Sequence, residues 1–256
     1  MTLAIQEPTR NCVRDFDNPL ELSPAEIVRM RESALRAYPE EMCGLIVDSK
    51  WVEAKNISPE PLTSWLIDQD FQSQFDIQGV VHSHCKPYRP EPSKEDMEHQ
   101  IEDGNPWGIV YTDGAWASKP LWWGDFRLEE PLIGRKFVHG VKDCYSAIRS
   151  WYWQRRGILL PDVPRNFGWW EDKNRATEKS LYSEGIGKLG YRISRDEVQV
   201  GDVALFQFLS KVPHHAAVVI ENGLLYHHLE SELSGRTPLG NYQKFAVAWL
   251  RYKEPA

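Results

Sequence analysis

The chain has 256 residues, 41% of them hydrophobic and 26% charged, with a formal net charge of -7. That composition can bury a core and is not that of a disordered chain, and the acidic excess argues against nucleic acid as the main partner, because phosphate contacts need a basic face. The first stretch, MTLAIQEPTRNCVRDFDNPL, has no apolar core of an export signal, and no window approaches the roughly eighteen apolar residues of a membrane span. A soluble chain without a Sec-type leader or membrane span is expected. Cys12, Cys43, Cys85 and Cys144 lie far apart and form no CxxC pair, so no disulfide framework is expected and synthesis in a reducing cytoplasm is implied.

In chain order, residues 1–19 are predicted to form a polar tail. A helix is predicted from Ser23, with Ser23 as N-cap and Pro24 at the first helical position. Its apolar residues Ile27, Met30, Ala34 and Leu35 recur at helical spacing, and Pro39 ends it. CGLIVD is predicted as a buried strand, WLIDQDFQSQFD opens a more polar segment, and IQGVVHSH is predicted as a second strand. SKEDMEHQIEDG is a predicted helix ending at Gly104, and NPWGIVYTDG a strand and turn. DFRLEEPLIG, from Asp125 to Gly134, is charged and proline-bearing and is predicted to be a linker. A helix follows from Asp143, and the last third alternates in β fashion: VQVGDVALFQF, HHAAVVI, the turn ENG, LLYHHLES and a closing FAVAWLRY.

The segment VVHSHCKPYRPEPSKED holds the first chemical signal. Side chains at i and i+2 of a strand share a face, so an extended VVHSH aims His82 and His84 at one point. Two imidazoles, a carboxylate and a water make a catalytic zinc site, and Asp96, in the first turn of the next helix, is the candidate third ligand. A metal-bound water needs a carboxylate to take its proton, and Glu41, before CGLIV, is the candidate. A glutamate, then His-Ser-His, then Ser-x-x-Asp resembles the JAMM motif of MPN-type zinc metallopeptidases over about residues 20–125. The resemblance implies Zn2+ on His82, His84 and Asp96, Glu41 as base, and Ser93 as an oxyanion-stabilising donor. Cys85 stands where that motif has proline, and eight residues separate His84 from Ser93, one more than the motif has. Strand parity puts Cys85 on the face opposite the two histidines.

The second signal is Cys144 at a predicted helix start, where unpaired amides and the dipole favour a thiolate. A thiolate nucleophile needs an imidazole and a third polar group to orient it. His215 opens the strand HHAAVVI, and His227 lies twelve residues on. A two-residue turn would place His228 on the face of His215, whereas the three-residue loop Glu221 to Gly223 would place His227 there. Asp143-Cys144, Gly201-Asp202-Val203 and His215-Ala-Ala-Val resemble the NlpC-type cysteine peptidases of the papain superfamily over about residues 130–250. That resemblance implies Cys144 as nucleophile, His215 as base and, by family spacing, His227 as the third residue.

The fold expected from both resemblances is α+β in two domains. A JAMM/MPN-type mixed sheet with helices at 20–127 precedes a papain-like NlpC-type domain with an antiparallel sheet at 128–256. The pairing is similar to the tail tip assembly proteins of lambda-like phages. It implies a virion protein made in the host cytoplasm, with other phage tail-tip proteins and peptidoglycan stem peptides as partners, and cleavage near a D-glutamyl–diaminopimelate bond. Two other classes stay open: a bacterial intracellular peptidase of wall peptides or isopeptides, and a non-catalytic structural tail component.

Overall fold

The computed structural model describes residues 15–171, 182, 185, 188–208 and 210–253. Of the predicted tail at 1–19, residues 1–14, with Cys12, lie outside them, and Asp17 pairs with buried Arg127. Helix α1 spans Pro24–Ala37, with the Ser23 hydroxyl accepting from the Glu26 amide and proline in the first turn. Five strands follow: β1 (Cys43–Val47), β2 (Lys50–Ala54), β3 (Gly79–Cys85), β4 (Trp107–Thr112) and β5 (Leu121–Trp123). A single turn, α2 (Gln69–Gln72), precedes β3, and α3 (Lys94–Asp103) joins β3 to β4. The sheet order is β2-β1-β3-β4-β5. Its β3–β4 pair is parallel and the others are antiparallel, because α3 is the crossover that parallel neighbours require.

Both faces of this sheet are covered, which is why β1 reads as a continuous apolar run rather than an alternating one. Met30 and Ala34 of α1 pack with Ile46, Val81 and Trp122 on one face. Cys43, Leu45, Val80, Ile109, Trp107 and Ile67 fill the other. Gly44 is required by packing: a Cβ there would stand 2.4 Å from the Val52 carbonyl and 2.5 Å from the Trp51 ring. The glycine three residues after Glu41 thus lets the β2 hairpin close over β1.

In the second half, α4 (Cys144–Arg156) precedes six strands. They are β6 (Tyr191–Ile193), β7 (Val203–Phe206), β8 (His215–Ile220), β9 (Leu224–His227), β10 (Gly235–Pro238) and β11 (Ala246–Tyr252). They form an antiparallel sheet ordered β10-β9-β8-β7-β11-β6. Ile148, Trp151 and Tyr152 of α4 pack against Ala216, Val218 and Tyr226 of one sheet face. Ala204, Phe206, Ala217, Val219 and Leu225 form a second cluster on the other. The protein is thus α+β, with a mixed sheet followed by an antiparallel one. Among the described residues no helix is long and apolar enough to cross a membrane.

The expected linker is structured. Asp125–Glu129 form a 3-10 helix in which Arg127 and Leu128 are buried. The Arg127 guanidinium donates to the Trp122 carbonyl and pairs with Asp17 and Glu130, and Arg149 of α4 pairs with Asp125. The charges that suggested a solvated linker are instead partners that hold the two halves together.

Candidate functional sites

His82, Ser83 and His84 lie in β3, which pairs with β1 on one side and β4 on the other. Alternation points both histidines to one face, and Ser83 to the other, where its hydroxyl accepts from the Met42 amide at 2.8 Å. That bond fixes Glu41, one residue earlier, against the histidine strand. The Glu41 backbone is also tied at both ends, its amide to the Pro61 carbonyl and its carbonyl to the Asn56 side chain.

Asp96 enters from α3. Ser93 is the N-cap, and the pair forms a capping box: the Asp96 amide donates to Ser93 Oγ at 3.1 Å, and Ser93 N and Oγ both donate to Asp96 Oδ2 at 2.8 Å. Asp96 Oδ1 lies 3.2 Å from His82 Nε2, and Oδ2 lies 3.2 Å from His84 Nε2. One ligand atom from each of the three residues lies within 4.8 Å of the others, and all three are buried. The His84 Nδ1–H donates to the Arg89 carbonyl at 2.7 Å, which leaves the Nε2 lone pair directed at the cluster. Trp65 stacks on the His82 ring at 5.1 Å.

This donor set fits a metal ion: two imidazole nitrogens each lie 3.2 Å from one carboxylate, in a buried cluster where one proton cannot satisfy all three groups. Burial lowers His82. Burial acts to raise Asp96, but the two adjacent imidazoles outweigh it and hold the carboxyl far below its usual range. Glu41 is only 5% exposed, and burial pushes it up to about 7. It shares a cleft of about 680 Å³ with His84, Ser93 and Asp96. Cys85 is buried off the cluster, its thiol near the Glu40 carbonyl, and burial raises it to about 11. The extra loop residue before Ser93 therefore leaves Asp96 within reach of both histidines.

The second site is built on α4. Asp143 is its N-cap, accepting from the Tyr145 and Ser146 amides, and from Gly140 N at 2.9 Å. Arg165 makes two further bonds of 2.9 Å to the same carboxylate. Burial opposes ionisation of Asp143, yet Arg165 and these amides keep it well below the ordinary range. Cys144 is the next residue, and its side chain opens onto a cavity of about 320 Å³ that His139, His214, His215 and His228 also line.

His215 opens β8, and its Nε2 lies 3.0 Å from His227 Nδ1. The loop between β8 and β9 is Glu221–Gly223, three residues, with Asn222 at φ 61°, and Ile220 faces Leu224 across it. Of the two alternatives for the turn, this is the one that brings His227 rather than His228 to His215. With Nε2 engaged, His215 has Nδ1 left to offer the cavity. Burial pushes His215 well below its ordinary pKa, aided by His227 beside it.

The thiol departs from expectation. Although Cys144 is partly exposed to the cavity, burial raises it to about 11, with the Asp143 charge adding to the effect. Among the described residues its side-chain partner is the Tyr182 hydroxyl at 3.3 Å. Helix-terminal stabilisation of the thiolate is outweighed by burial and by the Asp143 charge, and the Asp143 carboxylate already takes two first-turn amides. Arg165 and Tyr182 have no motif-like spacing from Cys144 and were not singled out by the sequence; only the fold brings them to it.

A cysteine opening a helix against an antiparallel sheet that carries a paired histidine defines the NlpC/P60 class of fold, and residues 134–250 match the NlpC/P60 family. Over 230 residues the chain is 31% identical to the tail tip assembly protein K of Escherichia phage N15, covering 86% of this chain and 91% of that protein. To the tail tip assembly protein K of Escherichia phage lambda it is 34% identical over 195 residues, covering 76% and 85%. The chain belongs to the tail tip assembly protein K family. Among solved structures, an NlpC/P60 family protein from Bacillus cereus ATCC 10987 is 14% identical, with a TM-score of 0.32, covering 87% of this chain and 66% of that one.

Proposed function

We propose that this chain is a phage tail-tip hydrolase whose carboxyl-terminal half, 128–256, cuts peptidoglycan stem peptides through Cys144. Its amino-terminal half, 20–127, is a JAMM-type zinc metallopeptidase domain. It acts in tail assembly, in penetration of the wall at infection, or in both, with other tail-tip proteins as its partners. It is made in the host cytoplasm, carried on the virion and exposed to the wall in the periplasm. The observation that carries the reading is the cavity shared by Cys144 and a His215 already oriented by His227.

The chemistry follows from the protonation states. His215 is held neutral by burial, which is the form a general base needs. Cys144 Sγ attacks the scissile carbonyl while its proton passes to His215. The protonated ring then gives that proton to the leaving amine as the C–N bond breaks, leaving a thioester that water hydrolyses. His227 keeps the imidazole in one orientation through both transfers.

In the other half His82, His84 and Asp96 would hold the metal. Bound zinc supplies acidification of a water and polarisation of a carbonyl. Glu41, buried and poised at about 7, takes a proton and returns it. Ser93 positions Asp96; its hydroxyl proton is donated to that carboxylate, so service as an oxyanion donor requires that bond to be exchanged.

Digestion of purified muropeptides tests the reading. Cleavage by the wild-type chain that is lost in Cys144→Ser and in His215→Ala is expected. The high thiol pKa favours a second reading, a structural tail component with an inactive cysteine, and wild-type protein that leaves muropeptides intact would establish it.

A further inference from the structure

Two of the groups that orient the metal cluster are themselves held from the other half of the chain. The Arg89 carbonyl fixes the His84 ring. The Arg89 guanidinium lies over the Phe167 ring, 3.7 Å from its centroid, and is bracketed by two bonds to Glu91. Asp96 is presented by the first turn of α3. Lys94 opens that turn with a backbone N–H that no helical carbonyl can accept, and Asn166 Oδ1 accepts it at 2.8 Å.

Asn166 and Phe167 are consecutive, and the residue before them is anchored. Arg165 is buried and bonded to both Asp143 and Asp162. Phe167 also meets His139 and Trp170 edge-on, at 5.4 and 5.5 Å. A further contact runs beside these: Met97, next to Asp96, lies against Gly140, where an added Cβ would be 3.1 Å from its sulfur. Asn166 and Phe167 line the cleft of the metal cluster although they lie within the NlpC/P60 match.

We propose that Asn166 and Phe167 are positioning residues for the His82–His84–Asp96 metal site, so that the amino-terminal site is complete only in the presence of the carboxyl-terminal half. The inference rests on the metal reading proposed above. Neither residue touches the cluster. Asn166 fixes the helix turn that carries one ligand, and Phe167 fixes the loop residue whose carbonyl orients another. Groups bonded directly to a ligand change metal affinity by about 10- to 100-fold when lost; Asn166 and Phe167 stand one contact further out, so the low end of that range is their ceiling.

The test is Zn2+ affinity of the full-length chain, measured by competition with a chromophoric chelator, with Co2+ absorption reporting ligand geometry. Asn166→Ala and Phe167→Ala should each weaken Zn2+ binding several-fold, up to about tenfold, and shift the Co2+ bands. Asn166→Asp keeps an acceptor for the Lys94 amide, and Phe167→Tyr keeps a ring beneath Arg89; both should restore wild-type affinity and spectra. A merely structural role would lower the unfolding temperature of the metal-free chain without moving the Co2+ bands. Wild-type Zn2+ affinity in both alanine variants, or failure of both conservative variants to restore it, overturns the proposal. A wild-type chain that binds no Zn2+, or binds it equally after His82→Ala and His84→Ala, overturns the metal reading itself, and the inference falls with it.

Discussion

Glu41 offers a test of the amino-terminal site that needs no substrate. Its carboxyl is buried and pushed from an ordinary 4.5 to about 7, so between those values the folded chain keeps a proton that the unfolded chain has released. Stability changes with pH in proportion to the protons bound by the unfolded minus the folded state. That difference is negative here, so this contribution is fully present below pH 4.5 and is lost as pH rises through 7. The gap corresponds to about 3 kcal/mol, with little solvent screening because the residue is only 5% exposed.

Glu41→Gln keeps the shape and removes the titration. Urea unfolding of both proteins in chelator, at pH 4.5 and pH 8, reads the effect, since groups that do not feel the Glu41 charge titrate alike in each and cancel; His84, which that charge raises, is counted with Glu41. The wild type should lose about 3 kcal/mol relative to Glu41→Gln over that interval. A bound dication favours the carboxylate and should shrink the loss, so adding Zn2+ at pH 8 should stabilise the wild type more than the variant. A wild-type-minus-variant difference that moves by less than about 1 kcal/mol would mean that Glu41 is solvated and ionised, and no base poised near neutrality would remain.

Cys144 in the free chain should react with iodoacetamide roughly 100-fold more slowly at pH 7.5 than an unperturbed cysteine thiol in a short peptide. Timed mass-spectrometric mapping measures this, and labelling faster than the standard would reveal a thiolate paired with a protonated His215. If muropeptide cleavage is found, His227→Ala should lower its kcat by about 10²-fold through misorientation of His215, and His228→Ala should lower it much less; equal losses would refute the assignment. Ser93→Ala removes the cap of α3 and a bond to Asp96, so it should destabilise the metal-free chain by about 1 kcal/mol, read from urea unfolding, and an unchanged midpoint would mean that the capping box contributes nothing.

Much of this arrangement was legible because it is local. The i and i+2 spacing of His82 and His84 needs only a strand, and Ser93 and Asp96 need only a helix start; burial at β1 and β3 and the cap at α3 supply both. The turn between His215 and His227 was narrowed to two lengths by strand parity alone, and the three-residue loop is the one present. Strands β2, β5, β6 and β10 escaped notice. They have three to five residues each, too few for a period of two to stand out, and their pairing energy comes from neighbours distant in sequence.

What stayed hidden is the long-range polar order around those local motifs. The segment Asp125–Gly134 has the composition of a linker, yet Arg127 is buried because Asp17, 110 residues away, and Glu130 share its charge. Whether a charged residue is solvent-facing or a buried partner depends on where its counter-charge falls, and periodicity carries no information about that. The same holds at Cys144. A helix start by itself predicts a depressed thiol pKa, but that effect comes from amides left unpaired, and Asp143 takes two of them. The N-cap that makes the helix start recognisable is thus also what removes part of the field expected to activate the cysteine. In the reaction proposed above, activation then comes from His215 as the substrate carbonyl is attacked rather than from the resting helix.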